Sequence, residues 1–149
     1  QLAIAPVGPG GEVEIIDVRT PHIGGTVQFF RIEGDELVRV ASNSGYTSHR
    51  FGSRNLDLGV VADADGDGNL EVVVPTDRRD AIGVLRRTAG AGAGYDGVEV
   101  IADVALLGRM TTNLGVRVVE PDTQPRISFA VGTDEAVLRI WPAPDPGDR

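Results

Sequence analysis

Apolar residues along this chain gather in short runs separated by Gly, Pro, Asp or Asn. The runs are "VEIIDV" (13–18), "TVQFFRI" (26–32), "ELVRVA" (36–41), "LGVVA" (58–62), "LEVVV" (70–74), "AIGVLR" (81–86), "VEVIADVALL" (98–107), "LGVRVV" (114–119), "ISFAV" (127–131) and "AVLRIW" (136–141). Their length, β-branched content and turn-forming borders are those of strands. None carries a convincing 3.6-residue stripe, so the pattern predicts an all-β protein; only 98–107 is a place where a short helix competes.

The runs repeat. "LGVVADADGDGNLEVVVPTD" from Leu58 aligns with "LGVRVVEPDTQPRISFAVGTD" from Leu114, so that Val-Pro-Thr-Asp at 74–77 faces Val-Gly-Thr-Asp at 131–134. Further on, "AIGVLR" faces "EAVLR", and the offset drifts between 53 and 57 residues. A fainter copy precedes both, with "VEIIDV" in the place of "LEVVV" and "GTVQFFRI" in the place of "AIGVLR". The units run approximately 1–55, 56–111 and 112–141, followed by a Pro-rich tail or linker at 142–149, with Trp141 expected to pack on the last strand. About four strands per unit is the size of a β-propeller blade. A ring typically needs four to eight blades. The expectation is therefore a segment of a longer propeller, completed by further blades in the same chain; homo-oligomer copies joined head to tail are the other arrangement.

The middle unit contains "ADADGDGNLEVVV" (62–74), where Asp63, Asp65, Asp67 and Glu71 crowd into nine residues of a chain with formal net charge -8. Four carboxylates on one turn repel each other, and so acidic a chain is not expected to neutralise them itself. Asp at loop positions 1, 3 and 5 can turn oxygens toward one centre, as a hard cation such as Ca2+ requires with six to eight oxygens at roughly 2.3–2.6 Å. Gly66 and Gly68 let such a loop close. Asp63, Asp65 and Asp67 would give side-chain oxygens, Asn69 its backbone carbonyl, and Glu71 would complete the shell. An EF-hand needs a bidentate Glu at its twelfth position and helical flanks. Here the twelfth residue is Val74 and both flanks read as strands. A metal-free acidic turn is the simpler alternative, since Asp, Asn and Gly favour turns anyway, but a turn does not require three Asp at two-residue spacing and a further acid.

The corresponding positions of the third unit are Glu120, Asp122, Gln124, Arg126 and Ser128, and the first unit offers "PVGPGGEVE". An arginine in the shell and a shortage of carboxylates leave only the middle unit as a metal site.

"DADGDGNLEVVV", with Phe51-Gly52 upstream, resembles the FG-GAP or VCBS-type repeats of calcium-binding β-propellers, found in integrin α-chains and many bacterial secreted proteins. The likeness covers roughly residues 50–90, and the rest only through the weaker repeat. The interval from Phe51-Gly52 to Asp63 is longer than usual in that family, and "VPTD" stands where Gly-Ala-Pro would be expected. The resemblance implies Ca2+ on Asp63, Asp65, Asp67, Asn69 and Glu71.

At 149 residues with 41% hydrophobic content, the chain suits one domain with a sizeable core. No apolar run approaches a membrane span. All 14 basic residues are arginine, and the balance remains acidic, which removes the electrostatic footprint of nucleic-acid or anionic-lipid binding. With no cysteine, disulfides, thiolate metal sites and a Cys nucleophile are excluded.

"YTSHRFGSR" (46–54) gathers Tyr46, His49, Arg50 and Arg54. His49, Arg50 and Arg54 are candidates for a lip binding an anion or carbohydrate; a polar inter-blade loop whose arginines offset nearby acids is the favoured reading. His22 and His49 are far apart in sequence, and no catalytic constellation is legible. The expected function is a calcium-stabilised binding or adhesion module, extracellular or periplasmic because micromolar cytosolic calcium would leave a millimolar site empty. It would recognise protein or glycan through its loops. The alternative is the propeller scaffold of a carbohydrate-active enzyme, a polysaccharide lyase or hydrolase, with catalytic residues at the ring centre.

Overall fold

A computed structural model describes residues 2–92, 95–119, 126–135 and 138–141. Among them it contains eleven strands and no helix: β1 (Ala3–Ala5), β2 (Glu14–Arg19), β3 (Thr26–Glu33), β4 (Glu36–Ser44), β5 (Val60–Ala62), β6 (Glu71–Pro75), β7 (Ala81–Gly92), β8 (Tyr95–Ala105), β9 (Gly115–Val119), β10 (Arg126–Gly132) and β11 (Leu138–Trp141). Each of the ten apolar runs contributes a strand. The short β1 is an addition, and the segment at 98–107 is extended because it pairs with β7, Ile82 facing Val104 and Arg86 facing Glu99. The proposed tail at 142–149, and Glu120, Asp122 and Gln124, lie outside the described residues.

The strands form three antiparallel meanders in chain order, β1-β2-β3-β4, β5-β6-β7-β8 and β9-β10-β11. The sheets stack with the second in the middle. One apolar cluster joins Ile16, Val18, Val27 and Phe29 of the first sheet to Val72, Val74, Leu85 and Val98 of the second. Another joins Val73, Ile82 and Val84 of the second to Phe129 and Val131 of the third. Side chains of a strand alternate between faces. Val72 and Val74 therefore serve one cluster and Val73 the other, which is why an uninterrupted valine run occurs here: β6 is buried on both faces. Each buried valine contributes roughly 1.5–3 kcal/mol of burial free energy.

Chain leaving one sheet is stitched to the turn that follows the second strand of the next. Tyr46 forms an isolated antiparallel bridge with Thr76, and Met110 forms the same bridge with Thr133. Thr47 N donates to Pro75 O (2.9 Å) and Asp77 N to Gly45 O (2.8 Å); in the second copy Thr111 N donates to Gly132 O and Asp134 N to Arg109 O, both 2.9 Å. These bridges place the repeated Thr-Asp of "VPTD" and "VGTD" at the same point of the two sheets.

Tyr46 also lies flat against Gly83, where an added Cβ would come within 2.4 Å of the ring. Burial, with Asp103 adding to it, pushes the Tyr46 phenol up to about 12.

Strand register corrects one detail of the repeat. Val74 pairs with Gly83, and its counterpart Val131 pairs with Arg139. Arg139 thus matches Gly83 rather than Arg86, and the offset narrows to 56–57 residues. In the first sheet, Ile15 faces Phe30 where Val72 faces Leu85 in the second. Arg31 is therefore the counterpart of Arg86, and Glu14 of Glu71.

Candidate metal centre

The acidic loop connects β5 to β6, between strands as its flanks predict. Gly66 and Gly68 adopt φ of 78° and 91°, where a side chain would be strained. These turns bring the loop amides onto its own acids. Asp63 Oδ1 accepts from Gly66 N (2.7 Å) and Oδ2 from Gly68 N (3.0 Å). Glu71 opens β6, fully buried, and its Oε2 accepts from Ala64 N (2.8 Å).

Asp63, Asp65 and Glu71 come together, each offering a carboxylate oxygen within 4.8 Å of the others. Oxygens bound to one Ca2+ at about 2.4 Å can lie at most about 4.8 Å apart, so the spacing is compatible with a shared ion. An all-oxygen donor set suits a hard cation, and a carboxylate has about four lone-pair sites, more than the amide contacts use. Asp67 and Asn69 stand slightly aside: Asp67 Oδ1 accepts from Asn69 N (2.8 Å) and Nδ2 (3.0 Å).

The sequence reading missed a residue of this centre. Arg86 on β7 donates through NH2 to Asp65 Oδ2 (2.7 Å) and through Nε and NH2 to Glu71 Oε1 (3.0 and 2.9 Å), and its NH2 lies 3.1 Å from Asp67 Oδ2. The chain does carry a neutralising charge. Burial works against the Arg86 cation, but its hydrogen bonds to Asp65 and Glu71 outweigh it and raise its pKa. Burial raises the pKa of Glu71, while the Ala64 amide and Arg86 pull it back. The clue was periodic: "FFRI" and "GVLR" place an arginine in the same strand position in two units, opposite a glutamate that only register reveals.

The same buried pair recurs in the first sheet without an acidic loop. Arg31 NH2 donates to Glu14 Oε1 (2.7 Å), and Arg87 on β7 reaches across the sheets to Glu14 Oε2 through Nε (2.8 Å). Adjacent Arg86 and Arg87 thus serve opposite faces of one strand. In the third sheet Ser128 replaces the glutamate.

A search against models of protein families, curated proteins and solved structures finds no match to this chain. The centre is therefore described by its geometry alone.

The second candidate group is more dispersed. His49 packs edge-on against His22, ring centroids 4.6 Å apart, and His22 likewise against the exposed Phe51 at 5.4 Å. The two histidines, distant in sequence, are neighbours in space. Arg50 and Arg54 are exposed and take part in none of the ion pairs among the described residues. Arg50 instead borders a small cavity of about 40 Å3 with Arg79 and Met110.

Burial, with His22 adding to it, holds the His49 imidazole below its ordinary 6.5. Folding then favours the neutral ring, and the stability it contributes is present above the unfolded value and lost as pH falls through the lower folded one. The melting temperature is expected to fall between about pH 7.5 and pH 5.5, with a shallower slope in His49→Gln. Parallel thermal titrations of both proteins check this; identical slopes would assign the effect to other groups.

Proposed function

We propose that this chain is a calcium-stabilised β-propeller segment, a binding or adhesion module of a secreted protein that meets protein or glycan through its loops. The observation that carries the reading is the convergence of Asp63, Asp65 and Glu71 oxygens within 4.8 Å on a strand-connecting loop. The propeller part is supported by consecutive antiparallel meanders stacked face to face, with like-placed strands in contact, β1 against β5 and β4 against β8. Among the described residues the sheets do not close on themselves, so the ring would be completed by further blades.

With the affinity of an extracellular module, about 10⁻⁴–10⁻³ M, such a site would be filled by extracellular or periplasmic calcium and left empty at micromolar cytosolic levels, which is the setting this reading takes. Millimolar calcium then stabilises the folded chain by about 1 kcal/mol through mass action. For a chain of this length that is a rise of roughly 2–4 °C in melting temperature. Calorimetry of the chelator-treated protein with and without added calcium tests it, and Asp65→Ala should remove the rise. An equal rise in Asp65→Ala, or none in the parent protein, would sink the assignment.

A further inference from the structure

A cavity of about 500 Å3 opens between the first and second sheets, on the face of β7 opposite the acidic loop. Its volume is within the range of small-molecule sites, roughly 300–1,000 Å3. Three arginines line it, Arg31 on β3, Arg39 on β4 and Arg87 on β7, with Glu12 at its edge.

The three arginines are engaged to different degrees. Arg87 is committed: its guanidinium holds Glu14 through Nε and NH2, and NH1 donates to the carbonyls of Thr88 and Gly97. Arg31 gives NH2 to Glu14, and its NH1 lies 3.6 Å from Glu12 Oε1. Among the described residues its Nε is buried without a hydrogen-bond partner, a condition that is costly to leave unmet. Arg39 is exposed and takes part in none of the described ion pairs. The lining itself carries three guanidinium groups and one carboxylate, Glu12, while Glu14 pairs with Arg31 and Arg87 and Glu33 acts on Arg31 from outside it. An arginine-rich wall is set here in a protein whose net charge is -8, and a planar fork is the donor geometry that suits carboxylate and phosphate.

We infer that this inter-sheet cavity binds a small ligand carrying one oxyanion, carboxylate or phosphate, on a polar body, with Arg39 as the principal anion contact and Arg31 as the second. The polar body follows from the volume, which far exceeds a bare inorganic anion, and from the hydroxyl-bearing Ser42 and Thr88 and the strand backbone along the walls. The site stands on the cavity and its charges, and does not depend on metal at the β5–β6 loop.

Calorimetric titration of the full chain with glucuronate, glucose 6-phosphate, inorganic phosphate and glucose, in chelator and in calcium, tests it. One or both anionic sugars should bind, the preference telling carboxylate from phosphate, while neutral glucose gives no heat. Affinity should fall at least tenfold in Arg39→Gln and stay unchanged in Arg78→Gln, an exposed arginine on the turn after β6. Arg39 is exposed and outside the ion pairs of the described residues, so its replacement is compatible with folding, which circular dichroism verifies. The proposal is overturned if neither anionic sugar binds, if Arg39→Gln binds as tightly as the parent, or if inorganic phosphate binds as tightly as glucose 6-phosphate.

Discussion

Glu14→Ala is expected to lower the free energy of unfolding by about 3–5 kcal/mol, because it strips a buried arginine of its partner. Glu14 is fully buried and joins Arg31 of its own sheet to Arg87 of the next, and the Arg87 side chain is only 4% exposed. Without the carboxylate, the Arg87 guanidinium retains two carbonyl acceptors and its position over the Phe29 ring, 5.4 Å from the centroid, but no counter-charge. The loss belongs to the stranded charge more than to the pair itself, so Glu14→Leu combined with Arg87→Met should recover most of it. Urea unfolding of the three proteins measures this. A loss below about 1 kcal/mol in Glu14→Ala would mean that the ion pair does not hold the sheets together.

Arg86→Gln should show an effect of opposite character in the two calcium conditions. Removing the guanidinium takes from Glu71, which is fully buried, and from Asp65 and Asp67 the cation that all three share. In chelator the variant is expected to lose about 3 kcal/mol, the lower end of the range for a broken buried pair, since Arg86 is partly exposed. Under the calcium reading, metal and guanidinium compete for Asp65 and Glu71 oxygens. The variant should then bind Ca2+ more tightly than the parent, and calcium should restore most of its stability. If calcium stabilises Arg86→Gln no more than the parent, the carboxylates exist to hold an arginine, and the calcium reading fails.

Much of the fold was legible because burial is so uneven along the chain. The Val72–Val74 run and the alternation in "VEIIDV" each record which faces of a strand are covered, and those are local facts. β1 was missed because three residues, Ala3–Ala5, between turn-forming neighbours carry too little pattern; pairing to β2 makes them a strand. The metal loop was readable for the same reason as the valines, since its acids and glycines are adjacent in sequence. Arg86 was not, because its place beside Glu71 comes from cross-strand register, and the register shift between Val84 and Leu85 displaces β7 against β8 in a way no local pattern records. Arg31, Arg39 and Arg87 come from three strands and meet only after two sheets pack, so the inter-sheet cavity leaves no local signature in the chain.

The double burial of β6 has a consequence for how the molecule opens. A strand clasped by partners above and below cannot detach while either neighbour stays in place, whereas the outer meanders can peel away one at a time. The backbone amides of Val72, Val73 and Val74 therefore exchange with solvent only when the whole stack comes apart, and they make this strand the last part of the protein to let go.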